Sequence, residues 1–163
     1  MFDNQLIEEA RKFLRAAQTQ KLTLATAESC TGGLLAGLIT EIPGSSQTLE
    51  RGFVVYTNRA KQDMLGVSGD ILADFGAVSE PTAIAMAEGA MEHSRASLTV
   101  AITGIAGPGG QTPMKPVGLV HIAAKRRDRE TLHEACHFGD IGRSNVRRKS
   151  MEVALELLMR LAQ

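Results

Sequence analysis

A surplus of either charge is missing from this sequence: eighteen Lys and Arg residues balance eighteen Asp and Glu. Without a net field the chain has no general attraction for DNA, RNA or an anionic membrane, so no nucleic acid and no membrane is expected among its partners. Cysteine is scarce as well. Cys30 and Cys136 alone cannot build the disulfide framework of a small secreted domain, which points to a reducing compartment. No apolar run reaches the length of a membrane span. The opening stretch, Met1 to Lys21, carries acids and bases throughout, where a signal peptide would be apolar. These absences lead us to expect a cytoplasmic protein. Internal repeats, low-complexity tracts and linkers are missing too. What remains is 163 residues with 44% apolar and 22% charged side chains, the make-up of one folded domain with a substantial core.

Hydrophobic spacing divides the chain into elements. Leu6, Ile7, Ala10, Phe13, Leu14 and Ala17 fall on one helical face, with Asp3 or Asn4 as its cap. Leu22 to Ala27 reads as a short buried strand, Gly33 to Glu41 as a helix stopped by Pro43-Gly44, and Gly52 to Thr57 as a second strand. Short helical pieces follow around Arg59 to Leu65 and Asp70 to Phe75. Ser79-Glu80-Pro81 starts a helix that runs to about Ser94 and is rich in Ala and Gly, so it can approach a sheet closely. Strands are expected at Leu98 to Thr103, Gly118 to Lys125 and Thr131 to Phe138. The charged turn between the last two is short enough to make them antiparallel neighbours. A final helix from about Ser144 carries Val146, Val153, Ala154, Leu157, Leu158 and Leu161 on one stripe. Helical crossovers between the early strands make that part of the sheet parallel and cover both faces. The expected fold class is α/β, a three-layer α/β/α sandwich on a five-stranded mixed sheet with one strand antiparallel.

Two glycine-containing loops follow strands. Glu28-Ser29-Cys30-Thr31-Gly32-Gly33 leaves the first strand and opens a helix, so its hydroxyls and thiol sit at the positive end of a helix dipole. That place activates a nucleophile and stabilises an oxyanion. Simple capping by Ser29 or Thr31 is the plain alternative, although paired glycines cost helix stability unless something must approach the backbone. Thr103-Gly104-Ile105-Ala106-Gly107-Pro108-Gly109-Gly110 has neither dinucleotide-fingerprint nor Walker spacing, and a strand follows it rather than a helix. It can still form a nest of N–H groups for an oxygen ligand, or serve only as a long hairpin connection. Both loops leave one edge of the sheet, where open α/β sheets bind ligands.

Three further segments carry chemistry. Tyr56-Thr57-Asn58-Arg59-Ala60-Lys61 sets the single tyrosine at the end of a strand and Lys61 about a turn further on; with a serine from another loop it makes a Ser-Lys-Tyr device. Lys61 serves as a base only if desolvated or held near another cation, and is otherwise a solvated surface charge. His133-Glu134-Ala135-Cys136-His137 matches the H-E-x-x-H zinc pattern, which works only on a helix. Here the segment alternates as a strand, which spreads the two histidines ~13 Å apart at ~3.3 Å per residue, too far for one Zn²⁺ with bonds near ~2.0 Å. Gly142-Arg143-Ser144-Asn145-Val146-Arg147-Arg148-Lys149 puts bases where a helix prefers acids, so a substrate phosphate is the natural counter-charge for Arg143 and Arg147. A solvated basic patch paired with Asp140 is the alternative.

Taken together these segments resemble the CinA C-terminal-domain family, the nicotinamide-nucleotide amidases. The resemblance rests on Ala27-Glu28-Ser29-Cys30-Thr31-Gly32-Gly33, Val55-Tyr56 with Asn58 and Lys61, Leu65-Gly66-Val67 and Gly76-Ala77-Val78-Ser79-Glu80. It continues through Thr103-Gly104-Ile105-Ala106-Gly107-Pro108 and Lys115-Pro116-Val117-Gly118, in order along nearly the whole chain. It implies hydrolysis of nicotinamide mononucleotide to nicotinate mononucleotide and ammonia, a pyridine-nucleotide salvage step with no cofactor and no metal. Ser29, Tyr56 and Lys61 match the family's catalytic group. Glu28, Thr31, Gly32, Gly33, Asn58, Thr103, Gly104 and Gly107 fall in its substrate-binding segments, and Arg143 at its phosphate-side arginine. Many relatives have Gly-Asp-Arg before the last helix, whereas here Gly142 precedes Arg143 and the acid is Asp140. The family also occurs fused to an N-terminal nucleotide-processing domain, which residues 1–163 do not contain. A homo-oligomer is expected. Two rivals stand beside this reading: a non-catalytic nucleotide-binding module of the same fold, and a zinc hydrolase using His133 and His137.

Overall fold

A computed structural model describes all residues 1–163. The elements run α1 (Asn4–Thr19), β1 (Leu24–Glu28), α2 (Leu34–Thr40), β2 (Leu49–Val54), α3 (Asn58–Leu65), α4 (Gly69–Phe75), α5 (Glu80–Glu92), β3 (Leu98–Gly104), β4 (Leu119–Arg126), β5 (Leu132–His137) and α6 (Arg143–Leu161), with one 3-10 turn at Ser45–Gln47 before β2. Side-chain caps start four of the helices. Asp3 accepts from the Leu6 N–H, Thr57 from Ala60, Ser68 from Ile71 and Ser79 from Thr82. Each spends a polar side chain on a donor the first helical turn leaves free.

The five strands form one sheet in the order β2-β1-β3-β4-β5. β1 pairs in parallel with β2 and β3, and β4 is antiparallel to both β3 and β5, so β4 is the one reversed strand. The mixed sheet expected from the sequence is therefore the one found. Strand β2 begins at Leu49, three residues before the expected Gly52, because Leu49 pairs with Leu24 across a register shift. It ends at Val54, so Tyr56 lies beyond the strand.

Successive strand residues point to opposite faces and sort by size. Leu24, Val100, Ile102, Val120, Ile122 and Ala124 meet α1, α2 and α6 in a core of large aliphatics. Ala25, Ala27, Ala101 and Ala123 meet α5 with α3 and α4 behind it. The alanine face lets α5 lie close to the sheet, near enough for the buried Thr99 hydroxyl to donate to the Ala87 carbonyl at 2.8 Å. The other side of α5 is equally tight. A Cβ added at Gly89 would stand 2.0 Å from the Leu65 carbonyl oxygen at the end of α3. Only glycine fits that crossing.

This topology selects a crevice. From the C-terminal end of β1 the chain turns to β2 on one side, and from that of β3 it turns to β4 on the other. Loops that diverge in this way leave a gap between neighbouring strand ends, the usual ligand position in open α/β sheets.

Candidate active site

Ser29 extends β1 by one residue, its N–H still bonded to the Ile102 carbonyl of β3 at 3.0 Å. The strand pairing thus aims the hydroxyl into the crevice from a fixed backbone. Lys61 reaches the same point from α3. It is 1% exposed, and its Nζ lies 3.2 Å from Ser29 Oγ, 3.0 Å from the Val55 carbonyl and 3.3 Å from the Tyr56 carbonyl. Burial holds its pKa below the ordinary lysine value. All three contacts are with oxygens: the amine donates to the two carbonyls, and the Ser29 hydroxyl stands within hydrogen-bond distance of it. Hydroxyl and amine are within the hydrogen-bond reach that a proton transfer requires.

The surrounding walls come from five segments. Ser29, Cys30, Tyr56, Lys61, Ala77, Val78, the 103–107 loop with Gly109 and Gly110, and Arg143 enclose a cleft of about 270 Å³, near the lower end of the ~300–1,000 Å³ common for small-molecule sites. Thr103 donates to the Ala77 carbonyl at 2.7 Å and so ties the end of β3 to the loop before α5. Gly104 passes so near β4 that a Cβ would lie 2.6 Å from Val120 Cγ2. Arg143, first residue of α6, closes one rim by donating to the Gly107 carbonyl at 2.8 Å and the Tyr56 hydroxyl at 3.2 Å.

The CinA C-terminal domain model matches residues 6–162. The chain belongs to the CinA C-terminal domain family. Among its relatives, the nicotinamide-nucleotide amidohydrolase PncC of Escherichia coli K12 is 45% identical over 97% of this chain and 95% of its own. The CinA-like protein of Akkermansia muciniphila is 57% identical over 71% of this chain, a region that makes up 28% of that protein. The chain thus spans little more than a quarter of that longer relative. The crystal structure of the competence/damage inducible protein CihA from Agrobacterium tumefaciens matches with a TM-score of 0.98 at 52% identity, covering 100% of this chain and 99% of that one.

Within this CinA fold the residues singled out from sequence separate into two groups. Ser29, Lys61, Tyr56, Thr103, Gly104, Gly107 and Arg143 converge on the cleft. Glu28, Thr31, Gly32, Gly33 and Asn58 do not line it. Asn58 is exposed at the start of α3, while Gly32 and Gly33, at φ of 59° and 94°, make the turn into α2. Glu28 is wholly buried, and its carboxylate accepts N–H bonds from Gly33, Leu35 and Ala36 at 3.0–3.2 Å. It caps α2. The positive end of that helix is therefore occupied by the protein's own acid, and the Gly32–Gly33 helix start has no free N–H to offer an oxyanion. Glu28→Ala would leave three donors without an acceptor at ~1 kcal/mol or more each. The expected result is a melting temperature lowered by roughly 6–12 °C, read by calorimetry.

Two further expectations change. Tyr56 does not present its phenol to Lys61: its carbonyl meets the amine, and its hydroxyl goes to Arg143. Arg147 is not open to an anion, since its guanidinium donates to the Cys30 and Thr31 carbonyls. Backbone orientation decided both contacts, and residue spacing carries no signal for it. The H-E-x-x-H segment is strand β5, as its alternation indicated. His133 Nε2 contacts His121 Nδ1 at 2.9 Å and its other nitrogen faces Glu80 at 3.7 Å. No group of three His, Cys, Asp or Glu side chains stands where one ion could join them, which removes the zinc-hydrolase reading.

Proposed function

We propose that this chain hydrolyses the carboxamide of nicotinamide mononucleotide, giving nicotinate mononucleotide and ammonia through a serine acyl-enzyme. The observation that carries the reading is the buried Lys61 amine 3.2 Å from Ser29 Oγ. A lysine is buried at the expense of its charge, and here that burial makes a base beside a hydroxyl. The near-full-length likeness to PncC supports the choice of substrate.

Ser29 Oγ attacks the carboxamide carbon as its proton passes directly to Lys61 Nζ, without the Tyr56 phenol as relay. The carbonyl π pair moves to oxygen, giving a tetrahedral oxyanion. Lys61 then returns the proton to the departing nitrogen, the C–N bond breaks and ammonia leaves. Water attacks the ester with Lys61 again as base, and the C–Oγ bond breaks to free the acid and Ser29. Tyr56 shapes the rim and holds Arg143. That guanidinium spends two N–H groups on Gly107 and Tyr56 and keeps three for the nucleotide phosphate.

The deciding experiment is ammonia release from nicotinamide mononucleotide by purified protein. Binding of the nucleotide without turnover would return the chain to a non-catalytic module. A companion measurement assigns Arg143. Arg143→Ala should raise KM for the mononucleotide roughly 10–100-fold, the worth of one charge-assisted contact, with little change in kcat. The phosphate-free riboside, already poor, should lose far less. Equal losses on both would remove the phosphate role.

A further inference from the structure

We infer that Gly104 reads the carboxamide of the substrate through its backbone: its N–H donates to the amide oxygen and its carbonyl accepts from the amide –NH2. The inference rests on the amidase reading proposed above. It begins with the ladder between β1 and β3. In a parallel pair a residue bonds across to two residues of the other strand, its N–H to one and its carbonyl to the next but one. The last such bond here runs from the Ser29 N–H to the Ile102 carbonyl at 3.0 Å. In register, the Gly104 N–H would next meet the Ser29 carbonyl, and the Gly104 carbonyl would meet the Thr31 N–H. Neither bond is made. The chain turns, the Ser29 carbonyl accepts from Gly32 at 3.0 Å, and Thr31 donates to no carbonyl. Gly104 is left with both groups facing the place where β1 has stopped.

Strand β4 does not answer them. Bonding directions alternate along a strand. Ile102 turns its carbonyl to β1, while Ile105 donates to Leu119 at 2.9 Å and accepts from Gly118 at 2.8 Å, both on the β4 side. Gly104, two residues after the first and one before the second, turns to the β1 side. Its register partner is Val120, and a Cβ on Gly104 would lie 2.9 Å from Val120 Cα. That is the near approach of an antiparallel pair that exchanges no hydrogen bonds. Gly104 also lines the cleft with Ser29 and Lys61. A primary carboxamide is planar and carries an acceptor and a donor on one edge, the two groups that a further residue of β1 would have offered. Seated there, it continues the sheet at the point where Ser29 ends the ladder. The N–H stays on the oxygen as that atom takes negative charge. After hydrolysis a carboxylate oxygen faces the Gly104 carbonyl in place of –NH2, which favours release of the acid.

Because the groups belong to the backbone, the test reads them directly by NMR. When the Ser29→Ala variant is titrated with nicotinamide mononucleotide, the Gly104 amide proton should move downfield further than any other amide lining the cleft. Acetylpyridine mononucleotide keeps the carbonyl and carries methyl in place of –NH2. It should bind roughly 3–10-fold more weakly, the worth of one neutral hydrogen bond. A Gly104 signal that stays in place while other cleft amides move would overturn the inference, as would equal binding of amide and ketone. If Ser29→Ala does not fold, wild type titrated with the ketone, which has no leaving group, supplies the Gly104 reading. Wild type that releases no ammonia from the mononucleotide would refute the substrate reading instead. Nicotinamide methylated on its ring nitrogen, the same carboxamide without ribose or phosphate, then decides the matter, and a Gly104 proton unmoved at saturation would overturn the inference.

Discussion

Ser29→Ala should abolish ammonia release, by at least ~10⁴-fold as when a serine nucleophile is removed from other hydrolases, while Cys30→Ala keeps most of it. The two residues are adjacent on one loop, and a thiol is intrinsically the better nucleophile, so the choice turns on environment. Burial pushes the Cys30 thiol up to about 11, which leaves almost no thiolate at neutral pH. Its side chain packs into the aliphatic core beneath α2 and α6. Ser29 has the opposite situation, with a base in hydrogen-bond contact and its backbone locked to β3. Steady-state kinetics on both variants, with mass spectrometry for the acyl-enzyme, gives the answer. An active Ser29→Ala beside a dead Cys30→Ala would exchange the roles.

Lys61→Arg should be nearly as inactive as Lys61→Ala, because a guanidinium keeps the charge and cannot give it up. The pH dependence follows from the direction of the Lys61 shift. Burial lowers its folded pKa, and in the proposed mechanism the neutral amine is the active form. kcat/KM should therefore rise with pH through the folded pKa, below the ordinary lysine value. Stability follows the same sign. Between the folded and unfolded pKa values the unfolded chain binds the extra proton, so the fold gains stability as pH rises through that window. On the acid side it bears the cost of a buried ammonium. Rate and stability should climb together, measurable as kcat/KM and urea midpoint over the same pH series. Substantial turnover by Lys61→Arg with the same rising limb would place the base elsewhere.

The fold was readable because its signals are local. Period-2 and period-3.6 patterns, caps at Asp3 and Ser79 and the glycine stops located every element, with ends displaced by one to three residues. The start of β2 was misplaced because Glu50 and Arg51 look like loop, and only pairing with β1 makes them strand. The site was half readable. Ser29, Tyr56 and Lys61 stood out by type, but nothing in the spacing shows that Lys61 crosses to Ser29, thirty-two residues earlier, from a buried position. Glu28 misled for a related reason. A carboxylate beside Ser-Cys-Thr reads as part of the chemistry, yet it serves N–H groups five to eight residues further on. The contacts of Arg147 were hidden for want of any partner side chain, since a bond to two carbonyls leaves no mark in the amino-acid order.

Gly89 lies outside the cleft, yet it acts as a spacer between Ser29 and Lys61. Sheet, α5 and α3 are stacked in that order, with Ser29 anchored to the first layer and Lys61 to the third. Leu65, whose carbonyl oxygen a methyl group at position 89 would strike, is one helical turn from Lys61 on the same rod. Any thickening of the middle layer therefore lengthens the gap between Lys61 and Ser29, and a hydrogen bond of 3.2 Å has little slack. The small residues of α5, among them Ala83, Ala87 and Ala90, thus set the clearance that keeps Lys61 within reach of Ser29.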